Sequence, residues 1–230
     1  MRKIYLLVIF IYFGAVGQVP QTKFTWINPH TKLHYALDIA SESLTEERSF
    51  GQFFFLKKVS MKDVDWKELP ANYSLHSIFH KGKYILSIPG TGQVYELDIS
   101  NGLFTRIDRT YFRGFNFFDV RFLRKDTLFS IGGEGGWNYH AHVTYFDPKR
   151  KEWELLPHVD GGPQFVSGQS AGYDPKTDQV FSIQPIHGSG KQAGESLDFH
   201  VLNVGERKWH LIGEMNVDQR SEERRVGKEC

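Results

Sequence analysis

Apolar residues in this chain arrive in short bursts. Tyr84–Ile88, Leu128–Ile131 and Val180–Ile183 are runs rich in Ile, Val, Leu, Phe and Tyr, and each follows a polar turn: Lys81-Gly82-Lys83, Arg124-Lys125-Asp126 and Asp174-Pro175-Lys176-Thr177-Asp178. Runs of this length, split by Gly, Asp and Pro, signal strands joined by tight turns. Residues 18–219 carry no long stretch with a helical period.

The pattern repeats. Val94-Tyr95-Glu96-Leu97-Asp98 leads to Phe104, Thr144-Tyr145-Phe146-Asp147 leads to Trp153, and Val201-Leu202-Asn203 leads to Trp209. In all three the Asp or Asn precedes the aromatic by six positions, and the intervals between Asp98, Asp147 and Asn203 are 49 and 56 residues. Each unit reads as four short antiparallel strands. One such sheet cannot bury both faces alone, and stacking copies around an axis solves that problem. Asp65-Trp66-Lys67-Glu68-Leu69-Pro70 echoes Trp153-Glu154-Leu155-Leu156-Pro157, so 51–70 is expected to supply the last two strands of a further unit.

The pattern resembles the kelch repeat, in which a Gly pair closes the second strand, a Tyr follows, and a Trp sits in the fourth. Here Gly132-Gly133, Tyr145 and Trp153 carry it, with Trp209 and Phe104 in equivalent places. The likeness covers about residues 71–213, and Pro89-Gly90 and Gln184-Pro185 replace the Gly pair in the flanking units. It implies an all-β, kelch-type β-propeller with about three complete four-stranded blades and a partial N-terminal blade, an incomplete ring. The expected layout is 1–17 signal peptide, 18–50 unassigned N-terminal strands, 51–70 partial blade, then blades at 71–108, 109–157 and 158–213. In kelch proteins the repeat residues, here Asp98, Phe104, Gly132, Gly133, Tyr145, Asp147, Trp153, Asn203 and Trp209, pack blade against blade. The four glycines of Gly132–Gly136 are therefore read as structural, because a phosphate cradle would need them to open a helix.

In a four-stranded meander the b–c and d–a loops emerge at one end, where function tends to sit on a rigid scaffold. Those loops are expected at 89–92, 134–140, 185–195, 108–115 and 158–168. They gather Arg109, Tyr111, Arg113, Glu134, Trp137 and Tyr139, together with His140, His158, Asp160, Gln164, His187 and Lys191. Tyr and Trp flanked by Arg, Glu and amides stack on sugar rings, anchor a protein partner, or simply pack their loop down. His140 and His142, two apart on a strand, would face the same side. Both could then reach one metal, with His158 and His187 on the same expected face to complete a set, but no carboxylate or third histidine adjoins them in sequence, so no metal is expected.

The chain begins with Arg2-Lys3, an apolar run from Ile4 to Val16, and Ala15-Val16-Gly17 before Gln18, the layout of a secretory signal peptide. The run falls short of the ~20 residues of a spanning helix. Arg220–Cys230 (RSEERRVGKEC) reads as the translation of a sequencing adapter, so a truncated chain is expected. Leaving out both ends gives 22 basic against 24 acidic residues, with no basic block to attract nucleic acid or an anionic membrane. The only cysteine, Cys230, lies in that tail, which leaves neither a disulfide nor the cross-linked cysteine of a galactose-oxidase-like copper site. The expectation is an exported, cofactor-free, non-enzymatic recognition propeller for a glycan or protein, monomeric at full length. A sugar mutarotase or oxidase-like enzyme of kelch type and the sensor portion of a longer receptor are the alternatives.

Overall fold

The structure is a computed structural model. It describes residues 23–28, 32–38, 41–49, 52–64, 75–110, 116–135, 138–185 and 196–216. Among these there is no helix, and seventeen strands form four antiparallel-built sheets.

The first sheet runs in sequence order: β1 (Lys23–Ile27), β2 (His34–Asp38), β3 (Ser43–Ser49) and β4 (Gln52–Lys58). The second has five strands, in the order β5-β9-β8-β7-β6, from β5 (Ser60–Lys62), β6 (His76–His80), β7 (Lys83–Ser87), β8 (Val94–Asp98) and β9 (Leu103–Arg106). The third comprises β10 (Val120–Arg124), β11 (Thr127–Gly135), β12 (Asn138–Asp147) and β13 (Glu152–Leu155), again in sequence order. The fourth repeats that plan with β14 (Ala171–Asp174), β15 (Gln179–Pro185), β16 (Ser196–Asn203) and β17 (Lys208–Asn216). The blade-like meander expected from the repeat is therefore present, whereas the sheets are not seen to close into a ring.

Turn chemistry explains the meander. Lys81 and Gly82 have φ of 48° and 82°, and Lys125 and Asp126 have φ of 45° and 67°. Paired positive φ values belong to the two-residue turns whose twist matches flanking strands. The recurring Asp or Asn caps the next turn. Asp147 Oδ1 accepts from the N–H groups of Lys149 (2.8 Å) and Arg150 (3.3 Å), and Asn203 Oδ1 from Gly205 (3.1 Å) and Glu206 (3.2 Å). Asp98 Oδ1 does the same for Asn101 at 3.2 Å. Such side chains stabilise turns by local bonding to the backbone. The aromatic six residues on then enters the last strand of its meander (β9, β13 or β17) as a buried residue, as Phe104, Trp153 and Trp209 do.

The N-terminal strands differ from the sequence reading. Residues 52–58 do not open a two-strand unit; they complete the first sheet, paired with β3. The next strand, β5, joins the second sheet parallel to β9, Ser60 opposite Leu103. Trp66, on which that reading leaned, lies outside the described residues. A second difference concerns Gly132-Gly133. They do not close β11, which continues to Gly135 through an irregularity between Ile131 and Gly133.

Contacts divide the chain into two units, one of 1–84 with 97–105, the other of 85–96 with 106–230. In the first, Trp26 packs on Tyr35 (ring centroids 6.0 Å apart) and on Tyr84 (5.4 Å). Burial above all pushes the Tyr84 phenol up to about 12. In the second, the third and fourth sheets share one core. Val120, Phe122, Phe129, Ile131 and Val143 meet Val180, Leu202, Val204 and Trp209. The opposite side of the third sheet carries Trp153, whose indole N–H donates to Gly92 O at 2.8 Å. Beside it Arg121 Nε donates to Asp119 at 2.7 Å, with both side chains fully buried and the guanidinium 5.6 Å from the Trp153 ring.

Candidate functional site

The site follows from a mismatch in strand length. The register of β12 with β13 runs only from Thr144–Leu155 to Asp147–Glu152, so the first half of β12 has no outer strand beside it. The chain instead leaves β12 after Leu156, whose N–H donates to Val143 O (2.8 Å), and returns at Val166, whose N–H donates to His140 O (3.1 Å). Between those two bonds the segment bows outwards. Its far point is tied to the fourth sheet. Asp160 N donates to Arg207 O, and Trp209 N donates to Asp160 O, each at 3.0 Å. Gly162, at φ 105°, lies against the Trp209 indole so closely that a Cβ would come within 2.5 Å of the ring.

Between this anchored segment and β12 lies a cavity of about 930 Å³. That is the size range of small-ligand sites. Its polar lining includes Tyr139, His140, His142, His158, Gln164 and Asn116, and its apolar lining includes Val143, Leu155, Leu156, Val159 and Trp209. The His140 and His142 rings stack, centroids 4.8 Å apart, and His140 Nδ1 accepts from the backbone N–H of His142 at 3.3 Å. Tyr139, 54 % exposed, packs on Phe165 with ring centroids 5.3 Å apart. The Glu134 charge raises the Tyr139 phenol above its ordinary value, and the hydrogen bond between them acts in the same direction.

Four of the expected ligand residues, Tyr139, His140, His158 and Gln164, line this one cavity. Glu134 is hydrogen-bonded to Tyr139 of that lining. Tyr139 and His140 stand on β12 and Glu134 on β11 rather than in a loop between them, because the hairpin extends further than its glycines suggest. Arg109 is placed elsewhere, its backbone N–H donating to Lys151 O at 2.8 Å. Asp160 anchors the segment through its backbone. Tyr111, Arg113, Trp137, His187 and Lys191 lie outside the described residues. Among the described residues no three His, Cys, Asp or Glu side chains are grouped to hold a metal ion.

Sequence reasoning missed Asn116, the aliphatic wall of Leu155, Leu156 and Val159, and the part of Trp209. Asn116 is 5 % exposed, and its Oδ1 has no hydrogen-bond partner among the described residues. Its neighbours explain its position: Phe117 exchanges backbone bonds with Glu134 at 3.0 and 2.7 Å, which lays 116–118 across the glycines of β11. The one available signal was the run Pro157 to Pro163, too rich in Gly and Pro to continue as a strand.

Fold and site together define an all-β protein of small blade-like sheets, one of which carries a ligand-sized cavity at a strand edge. No family model matches the chain, and no curated protein matches it either.

Proposed function

We propose that the protein is an exported recognition protein, built on the plan of a kelch-type propeller, that binds a neutral glycan in the cavity beside β12. The observation that carries this reading is the pairing of chemistries in that recess. Imidazole, phenol and carboxamide groups line the same recess as Leu155, Val159 and Trp209. A sugar ring needs both, since its hydroxyls hydrogen-bond while its C–H face packs on apolar surface. The segment that encloses the recess is held at both ends and in the middle, so the ordering cost of binding is already met. The repeat residues and the basic-then-apolar N-terminus support propeller and export respectively.

The test is a glycan array followed by calorimetry on the best binder. Tyr139→Ala and Gln164→Ala are each expected to weaken binding about tenfold or more, as loss of one stacking or hydrogen-bonding contact does. Affinity unchanged in both variants, with the far-ultraviolet spectrum retained, would sink the reading. A second reading rests on one further observation: His140, His142 and His158 all line the recess, and imidazoles move protons near neutral pH. Sugar mutarotation needs little more. Faster anomer exchange of a bound sugar, followed by NMR and abolished in His142→Ala, would shift the assignment from binder to enzyme.

A further inference from the structure

The recess beside β12 has buried polar lining whose hydrogen-bonding character is one-sided. Asn116, Ser130 and Thr144 all line it, and all are buried, at 5 %, 3 % and 5 % exposure. Ser130 and Thr144 stand opposite each other on β11 and β12, on one face of the sheet. Each hydroxyl has a single proton, and both protons are committed inside the protein. Ser130 Oγ donates to Asp119 Oδ2, and Thr144 Oγ1 donates to Ser130 O at 3.2 Å. Only lone pairs remain on these hydroxyls to meet a ligand. Asn116 adds a third acceptor, because its Oδ1 has no hydrogen-bond partner among the described residues. Native proteins keep few buried polar atoms in that condition, since each one lowers stability.

Close packing holds Asn116 in place. A Cβ on Gly133 would lie 2.9 Å from Asn116 Cα and 2.8 Å from Phe117 O, so only glycine lets this backbone approach β11 so nearly. The lining is also electrically balanced there. Arg121 Nε meets the Asp119 carboxylate at 2.7 Å, and both side chains are fully buried. Neutral acceptors suit a neutral donor, and they offer nothing to a carboxylate, a phosphate or an ether oxygen. We propose that Asn116 is the specificity-determining residue of this site. Its Oδ1 accepts a hydrogen bond from one ligand hydroxyl, with Ser130 and Thr144 as further acceptors of the same lining. The inference rests on the glycan reading above and narrows it to sugars with a free hydroxyl at the position that meets Asn116. A site that hydrogen-bonds a ligand group rejects the analogue lacking that group far more strongly than an apolar pocket does.

The probes are methyl glycosides of glucose, galactose, mannose and N-acetylglucosamine, each with its monodeoxy and deoxyfluoro analogues, titrated into the intact chain by NMR. In the series that binds best, one deoxy position is expected to weaken binding about tenfold or more. The fluoro analogue at that position should fall as far, because fluorine cannot donate. Asn116→Leu has nearly the same shape and removes the acceptor. It should bind the parent sugar about tenfold or more weakly, and bind parent and deoxy analogue equally. Its urea midpoint should match or exceed that of the wild type, since an apolar group replaces an unpaired polar one. An asparagine with a purely structural role would give a lower midpoint. That lower midpoint, discrimination between parent and deoxy sugar that survives in Asn116→Leu, or a fluoro analogue that binds like the parent would each overturn the inference while leaving glycan binding intact. A wild type that binds no sugar, on the array or in this panel, would overturn the glycan reading and this inference with it.

Discussion

Replacing Gly132 by alanine tests whether the cavity's inner hinge is fixed by close packing. Gly132 has φ 71°, and a Cβ there would lie 2.2 Å from Val166 O and 2.6 Å from Val166 Cβ. Val166 is fully buried and accepts from Gly133 N–H at 2.8 Å, the bond that returns the bowed segment to β11. Three costs add. A left-handed alanine costs about 1–2 kcal/mol, loss of the Gly133 bond about 1 kcal/mol, and displacing part of a buried valine about 1 kcal/mol. The expected destabilisation is therefore about 3–4 kcal/mol. At a strain-free site the same change would stabilise by about 0.4–1 kcal/mol, so even the sign is informative. For a chain of this size, thermal melting should fall by about 6–16 °C. Gly161→Ala is the internal control. Its φ is 68°, yet its Cβ would meet nothing nearer than Trp209 O at 3.5 Å, so only the dihedral cost of about 1–2 kcal/mol remains. Urea and thermal unfolding, followed by circular dichroism and tryptophan fluorescence, measure both. If Gly132→Ala matched Gly161→Ala or the wild type, the close-packed hinge would be refuted.

Other perturbations are independent of that hinge. Arg124 Nε and Nη2 each reach Asp178 at 2.7 Å, and the Tyr173 hydroxyl donates to it at 3.0 Å. The Arg124 hydrogen bonds hold the Asp178 carboxyl below its ordinary range. A depressed carboxyl contributes fully above the unfolded value of about 3.9 and loses that contribution as pH falls through the folded value. Asp178→Asn should thus cost about 1 kcal/mol at neutral pH, with the gap closing below about pH 4. Urea midpoints at both pH values check this, and a gap of constant size would contradict it. Trp153→Phe removes the donor to Gly92 O and should cost about 1–3 kcal/mol by urea unfolding; a neutral result would mean that the bond adds nothing. Glu134→Gln should lower the Tyr139 phenol towards its ordinary value, read by NMR titration of ring-labelled tyrosine, and an unmoved titration would exclude the Glu134 charge as the cause.

What was legible in the sequence is what local chemistry determines. An Asp or Asn that binds the next turn's N–H groups leaves its mark within a few residues, so Asp98, Asp147 and Asn203 mark three hairpins before any coordinates exist. Lys-Gly and Lys-Asp turns do the same for β6–β7 and β10–β11. The first sheet was harder because its strands do not alternate. Ser43–Ser49 reads SLTEERS, with one buried leucine, and Gln52–Lys58 places three phenylalanines in succession, which puts apolar groups on both faces. The pairing of β5 with β9 joins residues more than forty apart, and nothing in Ser60–Lys62 announces it. For the site, the sequence pointed to Tyr139, His140, His158 and Gln164 as residues near one end of a sheet. It could not show that they share a cavity, which depends on where β13 stops.

That stop separates two sheets built on one plan. In the fourth sheet β17 accompanies β16 along its whole length, from Ser196–Asn216 to Asn203–Lys208. In the third, β13 has four residues beside the ten of β12, and an irregular segment takes the place of the missing half strand. A full outer strand would satisfy the β12 backbone directly and fill the edge with its own side chains. Among the described residues the irregular segment meets the β12 backbone at Val143 and His140, and it bows away between them to reach the Arg207–Trp209 backbone. The recess is thus a consequence of one strand ending early while its replacement is fastened at both ends. Edge backbone that is paired at intervals and enclosed by an anchored loop stays protected from another chain, and it leaves side chains such as His142 and Tyr139 addressable by a small ligand. The repeat supplies the rigidity and the departure from the repeat supplies the site.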